Sequence, residues 1–306
     1  MKFTIFQESR IGRRRANQDR IAYSYSRDAL LLVIADGMGG HLHGEVAAQI
    51  AVQYITDTFQ AEAAPTIDDP ILFLSKILNN AHYAIVDYAG DRLLEEAPRT
   101  TCVVCLVQDN VAFWAHAGDS RLYLIRGGRV AALTRDHSRV RMMVEDGLIS
   151  ESEAAVHPAR NRIFSCLGGN RTPQIEFSPR TPLLAGDVIV LATDGAWGPL
   201  GAERLIGGLD GATVMESVPR LLDLAEELGG ETCDNASMIA MNWEESYAGD
   251  TSGLVSTQTM PLDSFTTQME GFSRVRDAGV PPGDLSDEEI ERAIEEIQTA
   301  IRKYSK

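Results

Sequence analysis

The chain has 306 residues, 44% hydrophobic and 24% charged, a composition typical of a soluble globular protein with a sizeable core. Its formal net charge of −16 disfavours non-specific binding to nucleic acid, which needs basic residues to displace phosphate counterions, and to anionic membrane surfaces. At about 100–200 residues per domain, the length predicts one large domain or two small ones.

Apolar runs and cysteines bear on the cellular compartment. The longest apolar run, Ala29–Ala35, is strand-length and far below the ~20 residues that a membrane helix needs. The first residues carry no cationic segment followed by an apolar stretch, so we expect no signal peptide. Cys102 and Cys105 fall in one strand-like segment, where an odd separation puts them on opposite faces. We therefore expect reduced core thiols and a cytoplasmic protein without a membrane partner.

Short segments rich in branched and aromatic residues, bounded by turn residues, predict strands along the first 244 residues. They are Leu30–Ala35, Cys102–Gln108, Val111–Gly118, Leu122–Arg126, Gln174–Ser178, Asp187–Thr193 and Ala236–Trp243. Apolar residues spaced three and four apart predict helices. They are Gly44–Gln60, Ile71–Tyr88, Arg139–Asp146 and Met215–Leu228. Hairpin turns outnumber strand–helix–strand units, which predicts mainly antiparallel sheets.

The composition changes after residue 244. Residues 245–285 are rich in Ser, Thr, Gly, Asp and Pro, which predicts a flexible linker. Residues 286–306 open with the capping box Ser286–Glu289, and isoleucines at 4-3-4 spacing follow, which predicts an amphipathic helix. These are Ile290, Ile294, Ile297 and Ile301. The stripe suits pairing with a second copy, docking on the preceding domain or binding a partner.

Five aspartates stand at predicted strand ends or turns, most of them beside Gly or Asn. They are Asp19, Asp36, Asp119, Asp194 and Asp234. Taken singly, each is most simply a turn residue. Taken together, carboxylates that converge at one end of a sheet repel each other unless cations neutralise them. Mg²⁺ and Mn²⁺ prefer oxygen ligands, and a pair of such ions can activate water and hold a phosphoryl group.

Seven short motifs follow one another over about 230 residues. They are Arg14-Arg-Ala-Asn17-Gln-Asp19, Asp36-Gly-Met-Gly-Gly-His41 with Gly44-Glu45, Gly118-Asp-Ser-Arg121, Thr134-Arg-Asp-His-Ser138, Val156-His157-Pro158 leading to Leu167-Gly168, Ala192-Thr-Asp-Gly195, and Asp234-Asn-Ala-Ser237. Each motif alone is loose, but the ordered set is specific. The set resembles the metal-dependent Ser/Thr protein phosphatases of the PPM (type 2C) family, in their bacterial form.

The resemblance implies an α+β fold, a four-layer α-β-β-α sandwich of two antiparallel sheets flanked by helices. It also implies a dinuclear Mn²⁺ or Mg²⁺ site. In that site Asp36 bridges both ions and the carbonyl of Gly37 binds the first. Asp194 and Asp234 are implied ligands of the second ion, and Asp19 is implied to orient bound water.

Further roles follow from the same resemblance. Asp119 is implied to support a third, weaker metal site, and Arg14 to hold the substrate phosphate bidentately. Residues 1–244 are implied to form the catalytic domain, with a flap over residues 138–168. The implied chemistry is direct hydrolysis, in which a metal-bridging hydroxide attacks phosphorus in line.

A few positions depart from the family pattern. Met38 stands where eukaryotic relatives have a histidine, and the nearby His41 is either an acid or a loop residue. Gln18 replaces a glutamate common in relatives, which removes one ligand for bound water. Phe164 and Ser165 replace the Thr-Arg of bacterial relatives in the flap, where substrate contacts are expected.

The leading interpretation is a Ser/Thr phosphoprotein phosphatase that opposes a Ser/Thr kinase. The alternative is a phosphoprotein-binding signalling scaffold with vestigial catalysis, which the presence of every expected metal carboxylate disfavours. A third interpretation is a phosphatase of small phosphorylated metabolites. Against it, we expect no Lys/Arg pocket for a second anionic group beside the metal groove.

Overall fold

A computed structural model of the chain describes residues 1–38, 43–245 and 256–259. Its strands are β1 (Lys2–Arg10), β2 (Asp19–Tyr25), β3 (Ala29–Met38), β4 (Arg99–Thr100), β5 (Cys102–Gln108), β6 (Val111–Ala117), β7 (Arg121–Arg126), β8 (Arg129–Leu133), β9 (Leu167–Gly168), β10 (Glu176–Phe177), β11 (Thr181–Pro182), β12 (Val188–Ala192), β13 (Ala236–Glu245) and β14 (Ser256–Thr259). Its helices are α1 (Gly44–Glu62), α2 (Pro70–Asp91), α3 (Arg139–Glu145), α4 (Glu151–Val156), α5 (Asp194–Leu209) and α6 (Val214–Gly229).

The strands form two sheets, and every pairing among the described strands is antiparallel, as predicted. One sheet has five strands in the order β1-β13-β12-β7-β8. The other has nine strands along the path β10-β6-β5-β3-β2-β14, with β11 beside β6 and with β4 between β3 and β9.

Strand β3 shows why the two sheets stack. Its apolar run has no polar side, so both of its faces must be covered. Leu31 and Val33 belong to the core beneath α1 and α2. Leu30, Leu32 and Ile34 belong to the core between the sheets. Because side chains alternate along a strand, one uninterrupted apolar segment supplies two hydrophobic layers.

The helices cover the outer faces of both sheets. From α1 and α2, Ile55 and Ile77 pack on the nine-stranded sheet. From α5 and α6, Leu205 and Leu222 pack on the five-stranded sheet. The layers therefore run helix, sheet, sheet, helix, and the predicted four-layer sandwich is confirmed.

Cys102 and Cys105 are buried free thiols on β5. Cys102 belongs to the core on the helix side and Cys105 to the core between the sheets. Their placement on opposite faces follows the predicted strand periodicity.

Several elements are absent from the sequence predictions, and they are β1, β2, β4, β8, β9, β11, β14, α4 and α5. Strand β1 is only partly buried and carries polar residues, so it lacks a clear apolar pattern. It is a strand because it pairs with β13. Helix α5 contains Gly198, Pro199 and Gly201, which disfavour a helix, and it kinks at Gly201. Tertiary packing of its apolar residues overrides this local preference.

The predicted linker (residues 245–285) lies outside the described residues except for Glu245 and Ser256–Thr259, and the predicted helix (residues 286–306) lies wholly outside them. Ser256–Thr259 is β14, which pairs with β2 in register Thr257 to Ser24. Across the described parts of the chain, no helix is long and apolar enough to cross a membrane.

Candidate metal centre

The five predicted aspartates come together where strands of both sheets end. Asp19 and Asp36 are direct partners across β2 and β3. The register of β12 with β7 and β13 brings Asp119, Asp194 and Asp234 to one end of the other sheet. The other four carboxylates all act electrostatically on Asp36, so the five residues form one cluster.

Two consecutive threonines hold the backbone of Asp36. Thr101 accepts the Asp36 N–H on its hydroxyl (3.0 Å) and donates its own N–H to the Asp36 carbonyl (2.8 Å). The Thr100 hydroxyl donates to the same carbonyl (2.9 Å). Strand β3 therefore does not end at Asp36, as the sequence suggested, but continues to Met38 paired with β4.

The Gly37 backbone touches the beginning of α1. A Cβ at Gly37 would lie 2.2 Å from the carbonyl oxygen of Gly44, so only glycine allows this approach. Gly37 and Gly44 thus both have a steric role beside Asp36.

Asp19 is buried and accepts hydrogen bonds from two hydroxyls. Thr193 and Ser237 donate to its Oδ2 at 2.9 and 2.6 Å. Its Oδ1 is buried without a hydrogen-bond partner among the described residues. One oxygen of Asp19 is therefore fixed, and the other is available to a ligand.

Asp194 is the first residue of α5 rather than a turn residue, and its carboxyl group is close enough to Asp36 for the two to repel each other. A Cβ on Gly195 would lie 2.0 Å from the carbonyl oxygen of Asn235, so the start of α5 abuts the loop before β13. The Asn235 amide ties this loop to the N-terminal motif, since it accepts from Gln18 N–H (2.9 Å) and donates to the Ala16 carbonyl (3.0 Å).

Arg14 lies at the cluster, where its Nη2 is 2.6 Å from Oδ2 of Asp234. Asp234 raises the pKa of Arg14 most strongly, by hydrogen bonding and by charge, and Asp194 and Asp36 add to the rise. Gly12, at φ +60°, allows this loop to approach, because a Cβ there would lie 2.2 Å from the Asp234 carbonyl.

Trp197 anchors the segment that carries Asp119. Its indole N–H donates to the Asp119 carbonyl (3.0 Å), and the Arg121 guanidinium stacks 3.4 Å above its ring. Arg121 also pairs with Asp136 at 2.7 Å. Trp197 also packs against the core beneath α5 and α6, so packing and one hydrogen bond together position this backbone.

Burial and mutual repulsion dominate the electrostatics of the cluster. Burial, opposed by the two hydroxyl hydrogen bonds, raises the pKa of Asp19 to about 7. Burial and the charge of Asp234 raise the pKa of Asp194 to about 6. Burial, followed by the neighbouring carboxylates, raises the pKa of Asp36 well above its ordinary value. So much clustered negative charge requires protons or cations.

These side chains fit divalent metal ions. Oδ1 of Asp19 is buried without a hydrogen-bond partner among the described residues, and a cation could satisfy it. The mutual repulsion of Asp36 and Asp194 is likewise relieved by a cation between them. The donors are hard oxygens, which suit Mn²⁺ and Mg²⁺.

The structure describes only part of the surroundings of His41, the residue that the sequence analysis considered as an acid. His41 lies outside the described residues. His43 precedes α1 and is 3.6 Å from Glu45, and Gln18 donates to Glu45 at 3.1 Å.

A second group of side chains that could bind a metal lies elsewhere in the fold, but a hydrogen on one of its histidine nitrogens opposes metal binding. His116, His137 and Glu176 have ligand atoms within 4.8 Å of one another. His137 Nδ1 accepts the Gly118 N–H (3.2 Å), so the hydrogen of its neutral ring lies on Nε2, which faces Glu176 at 3.5 Å. An Nε2 that carries hydrogen cannot ligate a cation, and the aspartate cluster is the better candidate.

A cavity of about 840 Å³ corrects one expectation. It begins beside Met38 and is lined by Arg99, Arg162 and Arg171. The prediction that no Lys/Arg pocket lies near the metal groove is therefore wrong. Arg99 is more than sixty residues before Arg162 and Arg171, and only the fold brings the three together.

The supporting residues Thr101, Thr193, Trp197 and Ser237 were not predicted as part of the site. Thr193 and Ser237 stand inside the motifs that contain Asp194 and Asp234, and this adjacency was the available signal. Thr101 and Trp197 carry no such signal, because their contacts with Asp36 and Asp119 depend on the fold.

Relatives of known name share this fold and sequence. A sequence model described as Protein phosphatase 2C matches residues 6–225. Serine/threonine protein phosphatase PstP of Mycobacterium tuberculosis is 33% identical over 228 residues, covering 74% of this chain and 42% of that protein. The chain thus spans about two fifths of that relative's length. Protein phosphatase PhpP of Streptococcus pneumoniae is 30% identical, covering 77% of this chain and 96% of that protein.

A solved structure supports the same relationship. The crystal structure of the PstP catalytic domain in complex with two manganese ions has a TM-score of 0.68 and 29% identity. It covers 79% of this chain and 99% of that one. With the family match extending over most of the described residues, the chain belongs to the protein phosphatase 2C family.

Proposed function

We propose that the chain is a metal-dependent Ser/Thr phosphoprotein phosphatase, a hydrolase of phosphomonoesters. The observation that carries the proposal is the convergence of five carboxylates with Arg14 at one end of the sandwich. The names of the relatives PstP and PhpP support the same activity.

In this proposal Asp36, the Gly37 carbonyl, Asp194 and Asp234 hold two Mn²⁺ or Mg²⁺ ions. The ions, when bound, supply charge neutralisation and lower the pKa of water for attack on phosphorus. Arg14 exchanges its contact with Asp234 for the substrate phosphate oxygens, which match a guanidinium.

Two further aspartates have supporting roles in the proposal. Asp19, fixed through one oxygen by Thr193 and Ser237, orients water through the other. Asp119 supports a third, weaker metal site.

The wider assignments extend the proposal. The catalytic domain is residues 1–244, the substrates are phosphoproteins opposite a cognate Ser/Thr kinase, and the compartment is the cytoplasm. The buried free thiols on β5 support a reducing compartment. We propose that the helix predicted from sequence for residues 286–306 mediates self-association, partner binding or docking on the catalytic domain. Light scattering of a chain lacking residues 286–306 tests self-association. If this chain has the same number of copies per particle as the full chain, residues 286–306 do not mediate self-association.

The central experiment is hydrolysis of a phosphothreonine peptide with Mn²⁺, with EDTA, and by Asp36→Asn. We expect activity that requires Mn²⁺ and is lost in Asp36→Asn. Asp87→Asn, an exposed carboxylate on α2, is the matched control and keeps full activity. No activity in the folded Mn²⁺-loaded protein would instead favour the scaffold alternative. Faster hydrolysis of sugar phosphates than of peptides would favour the metabolite alternative.

A further inference from the structure

The arginine-lined cavity opens beside the candidate metal centre. Met38, two residues after Asp36, pairs with Arg99 across β3 and β4. Cys166, in the cavity wall, has a pKa raised by burial and shifted in opposite directions by Arg99 and Asp119. Cys166 is thus close enough to interact both with an arginine of the cavity and with an aspartate of the carboxylate cluster.

The charge of the cavity is opposite to that of the protein. Its lining contains three arginines and one glutamate, in a chain of net charge −16. Glu96 pairs with Arg99, with Nη2 and Oε2 2.9 Å apart. The guanidinium groups of Arg162 and Arg171 form no hydrogen bond or ion pair with any residue that the structure describes, and both side chains are exposed. These two groups are free to bind an anion.

The base of the cavity is built by close backbone contacts. Gly168 has φ +77°, and a Cβ there would lie 2.0 Å from the Pro98 carbonyl. Gly169 has φ +65°, and a Cβ there would lie 3.2 Å from Cδ of Arg99. Its N–H donates to Pro98 (3.2 Å). Only glycines allow the segment before Arg171 to lie against the stem of Arg99.

We propose that this cavity is a subsite for a second anionic group of the substrate, next to the phosphoryl group that is hydrolysed. The inference rests on the proposed function, in which Arg14 holds the reacting phosphate. Guanidinium groups bind carboxylates and phosphates through the same paired hydrogen bonds. The second group is therefore an acidic side chain or a second phosphorylated residue flanking the phosphothreonine.

The test compares phosphothreonine peptides with Mn²⁺ at constant ionic strength. One peptide of each pair carries Glu at a flanking position and the other carries Gln, and each flanking position is tested in turn. A third series carries a non-hydrolysable phosphonate at the same position, which distinguishes a second phosphate from a carboxylate. The enzymes are the full chain, the double variant Arg162→Gln/Arg171→Gln, and Arg160→Gln. Arg160 is an exposed arginine of the same segment that does not line the cavity.

The expected readout is a ratio of kcat/KM values. At one or more positions the full chain favours an anionic over a neutral flank by about tenfold, as two exposed charge contacts allow. The double variant brings this ratio close to one, and Arg160→Gln keeps it. An equal rate on neutral and anionic peptides at every position, or an equal loss in Arg160→Gln, overturns the subsite.

The test also distinguishes failure of the subsite from failure of the proposed phosphatase activity. If no phosphopeptide is hydrolysed, binding of the same peptides by fluorescence anisotropy still tests the cavity. About tenfold weaker binding of the anionic peptide by the double variant supports the subsite, and unchanged binding overturns it. Far-ultraviolet circular dichroism confirms that the double variant is folded.

Discussion

Among individual residues, Asp19 shows how the protein holds a carboxylate ready for a ligand. Two neutral hydroxyls stabilise one of its oxygens, and no positively charged group among the described residues pairs with it. Burial therefore dominates and raises its pKa to about 7. Below about pH 7, a proton on Asp19 takes the place of a cation in the metal-free protein.

This placement predicts how the stability of the metal-free protein depends on pH. The pKa of Asp19 is about 7 in the folded state against 3.8 ordinarily, so its contribution is complete below pH 3.8 and lost as pH rises through 7. We expect the melting temperature of the full chain in EDTA to fall relative to that of Asp19→Asn as pH rises from 5 to 8. Mn²⁺ should reduce that relative fall.

The buried histidines act in the opposite direction. Burial lowers the pKa of His82, His116 and His137 below 6.5, so their contribution to stability rises with pH until the unfolded state has released their protons. The comparison with Asp19→Asn removes this contribution, because both chains contain the same histidines. A difference in melting temperature that does not fall with pH in EDTA would contradict the prediction.

Arg14 is one of three consecutive arginines, and the structure distinguishes it from its neighbours. Only Arg14 among the three has an ion pair with a described carboxylate. We expect Arg14→Gln to lower kcat/KM on a phosphothreonine peptide by about 100-fold, because it removes a charged donor to the phosphate. Arg13→Gln and Arg15→Gln are the controls, and a larger loss in either would move the phosphate contact to that residue.

At the scale of elements, the site depends on loops that meet through their backbones. Gly12, Gly37 and Gly195 each lie so close to another segment that a Cβ would come within 2.2 Å of a carbonyl oxygen. The carboxylates are thereby positioned by segments distant in sequence, and the loops cannot separate without disturbing the cluster.

Gly12→Ala tests this dependence. The change forces a methyl group toward the Asp234 carbonyl and requires φ +60° of a non-glycine residue. Gly127→Ala is the matched control, since Gly127 has φ +55° in open space. We expect both variants to lose about 1 kcal/mol from backbone strain. Only Gly12→Ala should also lose Mn²⁺ affinity, measured by calorimetric titration, and equal affinities would contradict the steric argument.

At the scale of the whole molecule, the three hydrophobic cores use residues between Met1 and Trp243. We therefore expect a chain ending at residue 260 to keep the melting temperature and the phosphatase activity of the full chain. A chain ending at residue 245 also loses β14 and leaves the edge of β2 unpaired, so a modest decrease in melting temperature is expected. A large loss of activity in the first chain would mean that the C-terminal residues take part in catalysis.

The sequence by itself determined that the sheets are mainly antiparallel, through its hairpin turns, and which residue types bind metal. The four-layer sandwich was implied by the resemblance of the ordered motifs to the family, and the apolar run of β3, covered on both faces, agrees with it. The aspartates were recognisable because the motifs around Asp36, Asp194 and Asp234 are local and keep their order along the chain.

Only the tertiary structure decided which distant residues support these aspartates. Thr101 holds Asp36, Trp197 holds the backbone of Asp119, and Arg99 and Arg171 meet in one cavity. Helix α5 likewise forms against its local propensity, because packing on the five-stranded sheet outweighs it. Sequence periodicity reports burial within one element, whereas these contacts depend on the register between elements and on how the loops at their ends approach one another.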